Sequence, residues 1–260
     1  MLKLIDLSKL TIGSDPEFFV SKDGKIVSSV GIIPGDKDSI TDAGDGYAVF
    51  KDNVLVEWNI PATYSKADFI KRMTDIKTMT KKFFNVDCIS KNSHEFTADQ
   101  LDSIEAKAFW CADYNLAWKG EATCAADLSA SMIRTAGFHI HIGYTLNDND
   151  FINKENMDKM LAKAFDYFCI IPSRKHMPDA FRDVNYGALG TYRNKPYGVE
   201  VRGLGAYFSR PEYLEWVYDR TIDTIKYCSE ISNLSKLMDI EDPLFTSAEY
   251  KYLKINTNLI

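Results

Sequence analysis

The sequence predicts an α+β fold built on a mixed or antiparallel sheet. Three observations lead there. Four short segments are β-rich or alternate in polarity, longer segments with helical spacing lie between and after them, and the strands are too unevenly spaced for a repeated βαβ unit. No glycine-rich turn follows a strand in the manner of a dinucleotide-binding fold. "GIIPGDK", ending at Lys37, lacks the spacing of a P-loop. Without repeats, low-complexity tracts or a Pro/Gly/Ser-rich linker, residues 1–260 are expected to form one domain.

In chain order, "PEFFV" is the first expected strand and "AVFKDNVLVEWNI" the second. "SKADFIKRMTDIKTMTKKFF" follows as a helix, with Ser65 as N-cap and Phe69, Met73, Ile76 and Phe83 on one stripe. "TADQLDSIEAKAF" opens with a capping box, Thr97 and Gln100. "GFHIHIGY" is a strand. "NKENMDKMLAKAFDYFCII" is a helix expected to stop at Pro172, its apolar stripe a core face. "YGVEVRGL" is the last strand, and "SRPEYLEWVYDRTIDTIKYC" is a helix with Ser209 as N-cap and Pro211 in its first turn.

With 45% hydrophobic and 26% charged residues, the chain is expected to pack a core. A net charge of -6 and the lack of a dense Lys/Arg stripe argue against nucleic-acid binding. The five cysteines are scattered and form no CxxC, which fits reduced thiols in the cytoplasm. The N-terminal stretch has no signal-peptide pattern and no apolar run suits a bilayer, so no membrane partner is expected.

The chemistry lies in polar pairs on strands. Asp15 and Glu17, Glu57 and Asn59, His139 and His141, and Glu200 and Arg202 are each two residues apart. In a strand such residues project to one face. Acids, imidazoles and an arginine on one face are either solvated or gathered at a site where cations neutralise the acids. Four such pairs point to a site. Acids outnumber imidazoles there, which favours a hard cation such as Mg²⁺ or Mn²⁺ over Zn²⁺, and hence a phosphorylated ligand. His94 and His176 have no such partner and are expected to be structural or exposed.

"GSDPEFFV", "DNVLVEWNIPA", "GFHIHIGY" and "YGALGTYRNKPYGVEVRGLG" resemble, in order, motifs of the phage-type carboxylate–amine ligases (type 2 amidoligases). These belong with glutamine synthetase and glutamate–cysteine ligase. The resemblance runs from about Ile12 to Tyr207. It implies a curved, mainly antiparallel sheet that cups ATP and two or three divalent ions, with helices on the other face. It implies amide formation through an acyl phosphate, from a carboxylate and an amine that are small molecules or peptides. It also implies a cytoplasmic enzyme, in the host cytoplasm if phage-encoded; a homo-oligomer is left open.

By the same resemblance, Asp15, His139 and Glu200 share one metal ion, and Glu17 and Glu57 another. His141 lies near the phosphates, Arg202 meets the transferred phosphoryl group, and Arg182 and Arg193 suit phosphate or a substrate carboxylate. Lys37 in "GIIPGDK" resembles the lysine of the group's G-x-K loop. The chain departs from glutamine synthetase in having Asp15 where that enzyme has glutamate. The remaining ligand of the Glu17–Glu57 ion is left among Asp45, Asp52 and Asn59. The ammonia and glutamate pockets find no match, so the substrates do not carry over. The segment "RDVNYGALGTYRNKPYG" is the expected closing loop. The competing readings are a zinc-dependent hydrolase using His139 and His141, and a catalytically retired binding protein on the same fold. The second is disfavoured by the presence of Glu17, Glu200 and Arg202.

Overall fold

The structure is a computed structural model and describes residues 3–107, 113–119, 121–124 and 130–240. Strands β1 (Thr11–Lys22), β2 (Lys25–Val27), β3 (Thr41–Gly44), β4 (Tyr47–Asp52) and β5 (Leu55–Thr63) precede helix α1 (Lys66–Phe84). Next come β6 (Asp87–Ile89), β7 (Ser93–Glu95), α2 (Ile104–Lys107), β8 (Asp113–Leu116), β9 (Glu121–Cys124), β10 (Ile133–Thr135) and β11 (Phe138–Gly143). Then follow α3 (Lys154–Phe165), α4 (Ile171–His176), α5 (Ala180–Asn185), β12 (Thr191–Lys195), β13 (Gly198–Val201), α6 (Pro211–Cys228) and α7 (Ile231–Met238). The class is α+β with an antiparallel main sheet, ordered β3-β4-β5-β1-β11-β13-β12-β8-β9, with β2 and β6 also pairing β1. Among the described residues no helix is long and apolar enough to cross a membrane.

Alternation along the strands divides the sheet into two faces. Phe18, Val56, Trp58, Ile140, Ile142, Val199 and Val201 join one core with Phe69, Met73, Ile76, Leu161, Phe165, Leu214 and Val217 of α1, α3 and α6. The Trp58 indole N–H donates to Thr80 Oγ1 at 2.9 Å, fixing α1 on β5 while Glu57 and Asn59 point to the opposite face. Ser65 caps α1 by accepting from Asp68 N–H, and Asn85 ends it in the left-handed conformation at φ 55°. Phe83, in the last turn, stays about half exposed.

Three expectations are corrected. "AVFKDNVLVEWNI" is not one strand but the β4–β5 hairpin, because Asn53 adopts φ 57° and turns the chain. The helix through Phe165 does not stop at Pro172. A π-helical turn over Asp166–Ile170 widens the spiral, so proline enters as the second residue of α4 and the helix runs to His176. Ser209 does not cap α6; its hydroxyl donates to Ala206 O, and Arg210 holds the N-cap position. The capping box at Thr97 is present, but it opens a short 3-10 turn; the end of that expected helix lies outside the described residues.

Asp166, in the π turn, is 3% exposed and accepts from the Trp118 indole at 2.6 Å. Burial pushes its carboxyl up from 3.8 to about 7, despite that hydrogen bond and Arg174 nearby. A carboxyl raised in the folded state favours folding while protonated. The stability it permits is fully present below about pH 4 and is lost as pH rises to about 7. Asp166→Asn is expected to flatten that decline and to gain roughly 2–4 kcal/mol over the parent above neutrality. Urea unfolding across the pH range reads it; equal slopes for the two proteins would refute it.

Candidate functional site

The sheet face opposite α1, α3 and α6 carries a cavity of about 610 Å³. Its lining includes Asp15, Glu17, Glu57, Asn59, His139, His141, Arg193 and Arg202. Strand register brings them together. Asp15 lies opposite His139, Glu17 opposite Glu57, and Glu200 opposite both His141 and Arg193. The pairs recognised by their two-residue spacing therefore share one wall, contributed by β1, β5, β11, β12 and β13.

Two groups of acidic and imidazole ligands result. Asp15, His139 and Glu200 each offer an atom within 4.8 Å of the others, as do Glu17, Asp52 and Glu57. Of the three residues left open for the second group, the structure brings in Asp52, from β4. Asn59 lines the cavity, and Asp45 sits in the β3–β4 turn. Asp15 and Glu17 belong to different groups yet share one strand face, so the groups are neighbours.

The electrostatics are uneven. Glu17 and Glu57 are almost fully buried and directly opposed, an arrangement that destabilises a sheet unless a cation intervenes. Burial, with Asp52, Asp15 and Glu17 close by, pushes the Glu57 carboxyl well above the usual range. Lys37 offsets part of this, its Nζ 3.1 Å from Asp52 Oδ2. Burial works against the Lys37 charge, but Asp52, Glu57 and Glu17 hold its pKa above the ordinary value.

At the other group, burial opposes ionisation of Asp15, and His141 and His139 overcome it, holding the carboxyl well below the usual range. Burial likewise disfavours the charge on Glu200, yet Arg202 beside it brings the carboxyl down to about 2. Arg202 donates to Glu200 Oε1 and, at 2.6 Å, to the Tyr186 hydroxyl.

The donor set fits divalent cations. Asp15 Oδ1, His139 Nε2 and Glu200 Oε2 are buried without a hydrogen bond, although His141 Nε2 lies 3.0 Å from Asp15 Oδ1. That approach lacks hydrogen-bond alignment. Gly137 leaves space beside the ring, since a Cβ there would collide with His139 Nε2, and its N–H donates to Glu17 Oε2 at 2.6 Å. Oxygen-rich groups, one with a single imidazole and one with none, suit Mg²⁺ or Mn²⁺.

Arg182 is not brought to the cavity. It is 1% exposed and donates to the carbonyls of Ala136, Gly203 and Leu204, so it ties the segment before β11 to the one after β13. Burial lowers its pKa without removing its charge. The expected closing loop is instead the end of α5, a turn and the β12–β13 hairpin, with Tyr197 at the tip bonded to His141 Nδ1. Lys37, Asp38 and Ile40, from the segment between β2 and β3, also line the cavity. His94 packs edge-on against Phe96, and His176 pairs with the Tyr213 hydroxyl; neither lines the cavity.

Sequence reasoning missed Lys195, Tyr186 and Tyr197. Lys195 was accessible by the same two-residue rule, since it follows Arg193 on β12. Neither a protein-family model nor a curated protein matches the chain.

Proposed function

We propose that the protein is an ATP-dependent carboxylate–amine ligase, forming an amide through an acyl phosphate. The observation that carries this reading is the pair of adjoining ligand groups, Asp15–His139–Glu200 and Glu17–Asp52–Glu57, faced by Lys37, Arg193, Lys195 and Arg202. The ordered resemblance to phage-type amidoligases supports it, and with it a glutamine synthetase-like catalytic domain acting in the cytoplasm. Asp15, His139 and Glu200, and Glu17, Asp52 and Glu57, would hold Mg²⁺ or Mn²⁺, which would supply charge neutralisation for phosphoryl transfer.

The chain's own residues do the rest. Arg202, held by Glu200 and Tyr186, is fixed to meet the transferred phosphoryl group. Arg193, Lys195 and Lys37 supply further positive charge around the phosphates, with His141 beside Asp15. Phe50 and Ile40 give the cavity an apolar margin, which helps to exclude water from an acyl phosphate. Strand-borne side chains hold this arrangement rigidly.

Two imidazoles on one zinc is the weaker reading. His139 belongs to a carboxylate group, while His141 is bonded to Tyr197 and lies against Asp15. ATP with Mg²⁺ is expected to raise the Tm and to give binding heat in calorimetry. No shift and no heat would end the ligase reading, and stoichiometric zinc supporting hydrolysis without nucleotide would replace it with a hydrolase.

A further inference from the structure

Lys195 stands outside the polar pairs. It is two residues after Arg193 on β12, so both side chains project to the cavity face. Its Nζ lies 2.7 Å from Glu200 Oε2. Arg202 already engages Glu200 Oε1, the oxygen 3.9 Å from His139 Nδ1, while Oε2 is buried without a hydrogen bond. The Lys195 contact is at ion-pair distance but does not align as a hydrogen bond. A lysine ammonium and a divalent ion cannot occupy the same side of one carboxylate oxygen.

The cations around Glu200 differ in how firmly they are held. The Arg202 side chain is 7% exposed and pinned by Tyr186; Arg193 is 3.6 Å from Oε1. The Lys195 side chain is 29% exposed, on a flexible four-carbon stem at the last residue of β12, beside the β12–β13 turn. The Arg193 side chain is 27% exposed but stands farther off and toward Oε1, so Lys195 is the cation whose departure frees Oε2.

We propose that Lys195 is a built-in competitor for the divalent ion at Asp15–His139–Glu200. It neutralises Glu200 Oε2, yields it to the entering ion, and turns its ammonium toward the anion that follows. The first step rests only on the ligand group and the Lys195–Glu200 contact. The second rests on the nucleotide reading of the site and makes that anion a nucleotide phosphate. Metal entry before nucleotide is the resulting order.

One substitution should then act in opposite directions on two ligands. Lys195→Met removes the charge and keeps the stem. Mn²⁺ alone, titrated by electron paramagnetic resonance, is expected to bind about tenfold tighter at one site of the variant than in the parent. ADP, titrated at saturating Mn²⁺, is expected to bind about tenfold more weakly. Lys195→Gln should repeat both changes and Lys195→Arg neither, with circular dichroism confirming that each variant is folded. Mn²⁺ affinity equal to or weaker than the parent's overturns the proposal. Tighter Mn²⁺ binding with no ADP binding in the parent keeps the competition and ends the nucleotide reading. Absence of Mn²⁺ binding from every variant overturns both.

Discussion

Replacing Glu57 with glutamine is expected to stabilise the metal-free protein by about 1–2 kcal/mol and to lower ATP turnover at least about a hundredfold. The two effects have one cause. Glu57 faces Glu17 across the β1–β5 ladder, and Asp52 completes the group from β4. Three acids in largely buried surroundings repel one another, and Lys37 answers only part of their charge. Glutamine keeps the shape and removes one charge, so folding gains while the ion loses a ligand. Urea unfolding in chelator and ADP release with Mg²⁺ read the two halves. A destabilised variant would mean that the Glu57 charge is already satisfied by the protein, leaving no need for an ion.

Glu200→Gln is expected to lose turnover by about a thousandfold or more, with the opposite sign in stability. Glu200 is the fully buried counter-charge for Arg202, Arg193 and Lys195. Removing one partner of a buried charge pair costs about 3–5 kcal/mol, because the other stays behind uncompensated. Glu200→Asp retains the charge on a shorter arm and should recover most of the stability while turnover stays low. Unaffected turnover in folded Glu200→Gln would remove Glu200 from the site. The contrast between the variants separates an acid the fold tolerates from one the fold depends on.

The period of a strand explains what could be read from sequence. Residues two apart share a face whatever the strand pairs with, so Asp15 with Glu17 and His139 with His141 were visible as units. Register is a property of two strands, and only the resemblance linked Asp15 with His139 and Glu200. Asp52 joins Glu17 and Glu57 because Asn53 turns the chain sharply, a detail hidden inside a β-rich run. Arg182 has the composition of a phosphate ligand but spends its guanidinium on backbone carbonyls, which only the packing of α5 reveals. Pro172 signals a helix end by its missing N–H; the π turn before it absorbs that defect.

The β1–β11 ladder has a consequence for how the protein acquires its site. Ser14 donates to His139 O across a separation of 125 residues. Closing so long a loop costs chain entropy before any contact repays it, so this pairing is expected late in folding. Until the two strands meet, Asp15 and His139 are distant points on a fluctuating chain. Divalent ions held by the proposed ligand groups would therefore find no preformed cradle early in folding. They would act afterwards, by binding the finished sheet and slowing its opening.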